Sequence, residues 1–156
     1  MTATPTDRAS HAPRWVTVFN PISRPLLAAG LPLGPNGLLT VVGRRSGVYW
    51  TTPLAVIEHE GRRWVWSPWG EVNWVRNLRA ADTATITVRK RASEVQATEL
   101  DHAQRLEFFR DVLGPVARTI PLGTTFIRYV DGVNVNDPVE AAEGRPVFEL
   151  LAADRP

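Results

Sequence analysis

No cysteine occurs among the 156 residues of this chain, which excludes disulfides and any metal site built on thiolates and fits a reducing compartment. Histidine is nearly as scarce. His11, His59 and His102 fall in an N-terminal tail, a hairpin turn and a helix start, too scattered to share a metal ion, so no metal site is expected. No apolar run approaches the ~20 residues that a membrane span requires. Residues 1–13 are polar, contain proline and lack the apolar core of a secretory signal; they predict a disordered tail on a cytoplasmic protein. Also missing are a nucleophile elbow, a Walker loop and a paired-carboxylate pattern. No catalytic side chain can therefore be nominated, and if the chain is an enzyme, a cofactor carries its reaction.

What is present is unevenly distributed. The length suits one domain, placed at residues 14–156. Net charge is only +2, yet Arg44, Arg45, Arg62, Arg63, Arg76, Arg79, Arg89, Lys90 and Arg91 crowd the middle of the chain. A local positive field of this kind attracts anions. The arginines do not recur along one helix face and no nucleic-acid motif accompanies them, so nucleic acid is not the expected partner. The alternative is a solvated arginine-rich surface. Residues 14–30 place Trp15, Phe19, Ile22 and Leu26 at roughly helical spacing, which predicts either a helix packed on the core or an amphipathic segment touching a lipid surface.

The stretch from Gly43 to Ala80 organises the remainder. Leu38–Val42 reads as a short strand, Gly43-Arg44-Arg45-Ser46-Gly47 as a Gly-bounded turn, and Val48–Ile57 as one long strand. Pro53 puts that strand at an edge or marks a bulge or bend. Glu58–Gly61 is a hairpin turn and Arg63–Ser67 the returning strand. Glu71–Ala80 is a short helix with Val72, Val75 and Leu78 on one face. Thr83–Val88 alternates strictly as a half-buried strand, and Ser93–Leu100 pairs back with it. Asp101 and Gln104 resemble a capping box for a helix ending at Gly114-Pro115. A helical turn or two and a short strand are expected over 118–130, a loop over 131–145, and a last strand over Pro146–Leu151. Asp131 and Asp137 read as solvated loop carboxylates. Hairpins in this order, with few long helices, predict a mainly β (α+β), barrel-like antiparallel sheet.

The glycines of the basic turn can take positive φ and gather backbone N–H groups round an anion. Arginine adds a planar fork suited to phosphate or carboxylate, and Ser46 a hydroxyl. An ordinary hairpin turn with exposed arginines is the bland alternative. Of Thr51 and Thr52, adjacent on a strand, only one can face a ligand. Five of the six tryptophans, Trp50, Trp64, Trp66, Trp69 and Trp74, lie in this region; they are either core or flat walls for a planar ring.

Gly43-Arg44-Arg45-Ser46-Gly47, then Thr52-Pro53, Ser67-x-x-Gly70 and Trp74-x-x-Asn77-Leu78, in this order and spacing, resemble the deazaflavin-dependent nitroreductase family, actinobacterial split β-barrel oxidoreductases that use coenzyme F-420. The resemblance implies a split β-barrel of about six or seven antiparallel strands with flanking helices. It implies hydride transfer from the reduced deazaflavin to an activated double bond, a nitro group or a quinone-like acceptor. It assigns Arg45, Ser46 and Gly47, with Arg44, to the phosphate and polyglutamyl tail. Thr52, Pro53 and Leu54 would run under the ring, Ser67 and Gly70 would lie beside it, and Thr51, Trp74, Asn77 and Arg79 would complete the cofactor site. Trp69 and Tyr129 would meet substrate. The chain departs from many relatives where Val48, Tyr49 and Trp50 replace basic residues just after the turn. Related split barrels bind FMN, FAD, haem or fatty acids. The alternative is therefore a non-catalytic barrel that holds a flavin or another hydrophobic ligand. Either a monomer or a homodimer fits such a barrel.

Overall fold

The structure, a computed structural model, describes residues 36–153. The expected tail at 1–13 and the apolar segment at 14–30 lie outside the described residues.

Seven strands form one antiparallel sheet. They are β1 (Gly37–Val42), β2 (Tyr49–Leu54), β3 (Val56–His59), β4 (Arg62–Trp66), β5 (Thr83–Val88), β6 (Arg91–Glu99) and β7 (Val147–Ala152), in the spatial order β2-β1-β5-β6-β7-β4-β3. The expected long strand over 48–57 is two strands, and they occupy the two opposite edges of the sheet. Only Ala55 separates them in sequence, so the sheet must curl until its edges approach each other, which is the split-barrel geometry. Pro53 sits in β2, which among the described residues is an edge strand paired with β1 alone, where a residue lacking an N–H is tolerated. Closure is reinforced by Asn36, whose amide donates to Val56 O (3.0 Å) and accepts from Val56 N (2.6 Å). Gly37 is required there, because a Cβ would stand 2.6 Å from Val56 Cγ2.

Alternation sorts the side chains. Leu39, Val41, Val56, Val65, Ile86, Val95 and Phe148 fill the concave face, where Val75 and Leu78 of helix α1 (Asn73–Ala81) pack on them. Burying these apolar groups contributes ~1.5–3 kcal/mol for each large side chain. The opposite face of β3, β4 and β7 carries a second core. Ile57, Trp64, Trp66 and Val147 meet Phe108, Phe109 and Leu113 there, with Trp66 and Phe109 edge-to-face at 5.5 Å.

The C-terminal half departs from the expected pattern. The Asp101–Gln104 capping box forms and starts α2 (His102–Glu107). The helix does not end at Gly114-Pro115. A wide π-helical segment (Phe108–Leu113) leads directly into α3 (Gly114–Thr119). The wide turn shifts the Gly114 N–H onto Phe109 O, and Pro115 takes a first-turn position in α3, where no N–H is needed. No strand forms over 118–130; α4 (Gly123–Phe126) and a second π-helical segment (Ile127–Asp131) stand there. The expected loop over 131–145 contains α5 (Pro138–Ala142), which Asp137 caps by accepting from Glu140 N at 3.1 Å. Among the described residues no helix is long and apolar enough to cross a membrane.

Candidate functional site

The β1–β2 hairpin builds one end of the site. Its turn closes through Gly43 N to Val48 O (2.7 Å) and Gly47 N to Gly43 O (3.0 Å), with Gly47 at φ +69°, a conformation that favours glycine. Val48 N donates to Ser46 Oγ at 3.2 Å, and Arg44 N donates to Asn77 Oδ1 at 3.2 Å. Four backbone donors of the turn are thus engaged by protein acceptors. Arg45 and Ser46, between these positions, are both exposed.

Arg44 joins the turn to α1. Its Nη1 donates to the same Asn77 Oδ1 at 2.8 Å, and Asn77 is only 6% exposed. One turn earlier on α1, Trp74 is half-buried against Phe148, ring centroids 6.1 Å apart. Motifs 33 residues apart in sequence are therefore fixed to each other.

The register of β2 settles the threonine pair. Thr52 pairs with Leu39 and shares its inward face, together with Trp50 and Leu54. Thr51 pairs with Thr40 on the outer face, their hydroxyls 2.8 Å apart. Pro53 lies on that outer side with Tyr49, which is 72% exposed.

The Ser67–Gly70 loop forms a second wall. Ser67 is fully buried and its Oγ donates to Gly70 O at 2.6 Å, so its hydroxyl shapes the loop from within. Trp69 packs on the concave core from its margin. Arg145 pins this loop from outside by donating to Pro68 O (3.3 Å), Ala141 O (3.2 Å) and Glu140 O (3.0 Å). Its Nη2 also reaches Gly132 O at 3.5 Å. Its Nη1 also pairs with the Glu140 carboxylate at 3.4 Å; nothing beside Arg145 in the sequence signals the distant carbonyls it holds.

Arg79 is held elsewhere. Nε and Nη2 grip Glu99 (2.7 Å each) and Nη1 reaches Glu71 at 3.0 Å. The Glu99 carboxylate raises its pKa above the usual arginine value. Arg62 likewise forms a bidentate pair with Glu149 and lies over the Trp64 ring at 4.8 Å. Part of the positive field read from composition is thereby neutralised locally.

Tyr129 falls in the π-helical segment Ile127–Asp131. Asp131, at the end of that segment, is half-buried rather than solvated, and burial pushes its carboxyl up to about 7. Among the described residues no group of three or more His, Cys, Asp or Glu side chains converges as a metal site would.

The arrangement offers cationic and hydroxyl donors at the hairpin tip, an inward strip along β2, and half-buried indoles from two further elements. An elongated anionic molecule with a planar ring fits that donor set.

Residues 24–118 match the model of the F420H(2)-dependent quinone reductase family. No curated protein matches the chain. Among solved structures, an F420-H2 dependent reductase (FDR-A) is similar at 18% identity, covering 74% of this chain and 92% of that one, with a TM-score of 0.49. HutZ, the heme storage protein of Vibrio cholerae, is similar at 12% identity, covering 88% of this chain and 92% of its own, with a TM-score of 0.54; it shares the fold.

Proposed function

This chain belongs to the F420H(2)-dependent quinone reductase family, and on that footing we propose that it reduces a quinone-like acceptor, an activated double bond or a nitro group. When bound, the reduced deazaflavin coenzyme supplies the hydride. The protein's side chains bind and orient.

Arg45, Ser46 and Gly47 hold the anionic tail at the hairpin tip. Thr52 and Leu54 form the floor under the ring on the inward face of β2, while Thr51 and Pro53 support that strand from outside. Trp74 forms a wall, with Gly70 at the turn of the second wall and Trp69 on the substrate side. Ser67 shapes that loop, and Arg79 steadies the end of α1 through Glu99. The segment carrying Tyr129 borders the substrate mouth. Water exclusion by the indoles protects the transferred hydride.

The observation that carries this reading is the double hydrogen bond from Arg44 to Asn77 Oδ1. It locks the basic turn to the helix of Trp74, so that an anion-binding tip and an aromatic wall belong to one rigid site.

The test is a titration of the purified protein with coenzyme F-420, FMN and FAD, followed by turnover of the reduced deazaflavin with a soluble benzoquinone. Saturable binding of the deazaflavin and quinone-dependent oxidation are expected. Preference for FMN or FAD would overturn the cofactor assignment. Tight deazaflavin binding with no turnover on quinone, nitro or enone acceptors would favour a non-catalytic barrel.

A further inference from the structure

We propose that Arg145 is a positioning residue for substrate selection, its single guanidinium fixing the Trp69 loop and the segment Ile127–Asp131 relative to each other. This rests on the functional reading above, which puts Trp69 and that segment on the substrate side.

Gly144, at φ +63°, turns the chain out of α5, and residues 144–146 then run along the Ser67–Gly70 loop. Pro146 O accepts from Ser67 N at 3.0 Å. Arg145 Nε donates to Pro68 O at 3.3 Å. Gly144 O would lie 3.4 Å from a Cβ on Gly70. Within the loop, Ser67 Oγ donates to Gly70 O. Trp69 thus stands between two anchored carbonyls, Pro68 O and Gly70 O, and its half-buried indole goes where they are held.

The other nitrogens of Arg145 reach beyond the loop. Nη1 donates to Glu140 O (3.0 Å) and Ala141 O (3.2 Å) in the last turn of α5. Nη2 reaches Gly132 O at 3.5 Å, directly after the segment Ile127–Asp131. Each nitrogen serves a different element. The guanidinium is planar and rigid, so a shift of one element is passed to the other two. Its side chain is only 15% exposed, which limits competition from water for these charge-assisted bonds. A lysine offers one ammonium on a flexible stem and cannot hold all three elements. The hydrogen bonds of Arg145 go to the loop, α5 and Gly132, none to the basic turn or α1. Its influence therefore falls on the quinone more than on the anionic tail of the coenzyme.

Arg145→Lys and Arg145→Gln, each shown by circular dichroism to be folded, are compared with wild type in affinity for coenzyme F-420 and in kcat/KM for a benzoquinone and a bulkier naphthoquinone. The ratio of the two kcat/KM values should change by about tenfold or more, since small misplacements of positioning elements are costly to turnover. Coenzyme affinity should change less than about threefold, its tail being held at a separate place. Adding Arg145→Lys to Trp69→Ala should leave the ratio where Trp69→Ala alone puts it, because the side chain being positioned is gone. An unchanged ratio, equal losses for coenzyme and both quinones, or additive effects in the double variant would overturn the proposal and leave Arg145 a structural staple.

A second readout needs no turnover. Hydrogen exchange of the backbone amides at 67–72 and 127–133 is followed in the free protein and in Arg145→Lys. Both stretches should exchange faster together, by about tenfold, through local opening, with β5 unchanged. Acceleration in one stretch alone, in neither, or throughout the sheet would overturn the coupling. If both stretches loosen together while wild type reduces no quinone, the coupling stands and the quinone reading falls.

Discussion

Asn77 Oδ1 accepts two hydrogen bonds from Arg44, one from its backbone N–H at 3.2 Å and one from its guanidinium at 2.8 Å. An arginine in a surface hairpin is thereby tied to a buried amide on a helix. Asn77→Ala removes the shared acceptor and is expected to cost ~1–3 kcal/mol of stability. It should also weaken coenzyme binding by freeing the turn. Asn77→Asp keeps the acceptor and pairs it with a cation, so stability should hold while the added negative charge lowers affinity for an anionic tail. Thermal melts and a coenzyme titration on both variants separate the two effects; equal affinity in Asn77→Ala would show that the turn needs no such anchor.

Ser67 tests the loop rather than the ligand. Its hydroxyl donates to Gly70 O at 2.6 Å in a fully buried position. Ser67→Ala should destabilise the fold by ~1–2 kcal/mol, read from denaturant unfolding. Ser67→Thr adds a methyl group where there is no exposed surface and should be the more damaging of the two. A neutral Ser67→Ala would mean that the Gly70 carbonyl finds another donor.

Arg79 separates charge that is available from charge that is already paired. Its guanidinium is shared between Glu99 and Glu71 on the surface. Arg79→Met should lower stability by no more than ~1 kcal/mol, with the loss shrinking at high salt. Coenzyme affinity should change less than about twofold, whereas Arg45→Ala should lose ~1.5–3 kcal/mol of binding. The reverse order in a titration series would place the anion near α1.

Asp131 predicts a pH dependence. Burial raises its carboxyl to about 7 from the ordinary 3.8. The folded state then holds a proton that the unfolded state has lost between roughly pH 4 and 7. Stability from this group is full below pH 4 and falls as pH rises through 7, because the charged form must be buried. Asp131→Asn removes that penalty. The variant should be more stable than wild type by roughly 2–4 kcal/mol at pH 8, the gap closing towards pH 4. A constant difference between pH 4 and 8 would show an ordinary carboxyl at this position.

The sequence was most legible where structure is local. The strict alternation over Thr83–Val88 became β5 with Ile86 fully buried. The Asp101–Gln104 pair formed its reciprocal cap. Pro53 did mark an edge strand. The errors share one cause. Gly114-Pro115 stops an isolated helix, but here a π-helical turn, packed through Phe108 and Phe109 on Trp64 and Trp66, carries the chain past it. Asp131 looked like a loop carboxylate because nothing in its neighbours in sequence reveals what packs over it.

Turn chemistry, strand alternation and caps depend on residues within four or five positions, so the sequence alone determined the hairpins, the Gly-bounded basic turn and the apolar face of α1. Whether Thr51 or Thr52 faces inward depends on pairing with β1, because each step along a strand reverses the face. The partners of Arg44, Arg79 and Arg145 depend on how the sheet curls and where α1 and α5 land on it. Those choices rest on contacts across tens of residues, whose energies are decided only when the whole core packs. Composition marked this region as rich in cation and indole, and the tertiary structure decided which of those groups remain available to a ligand.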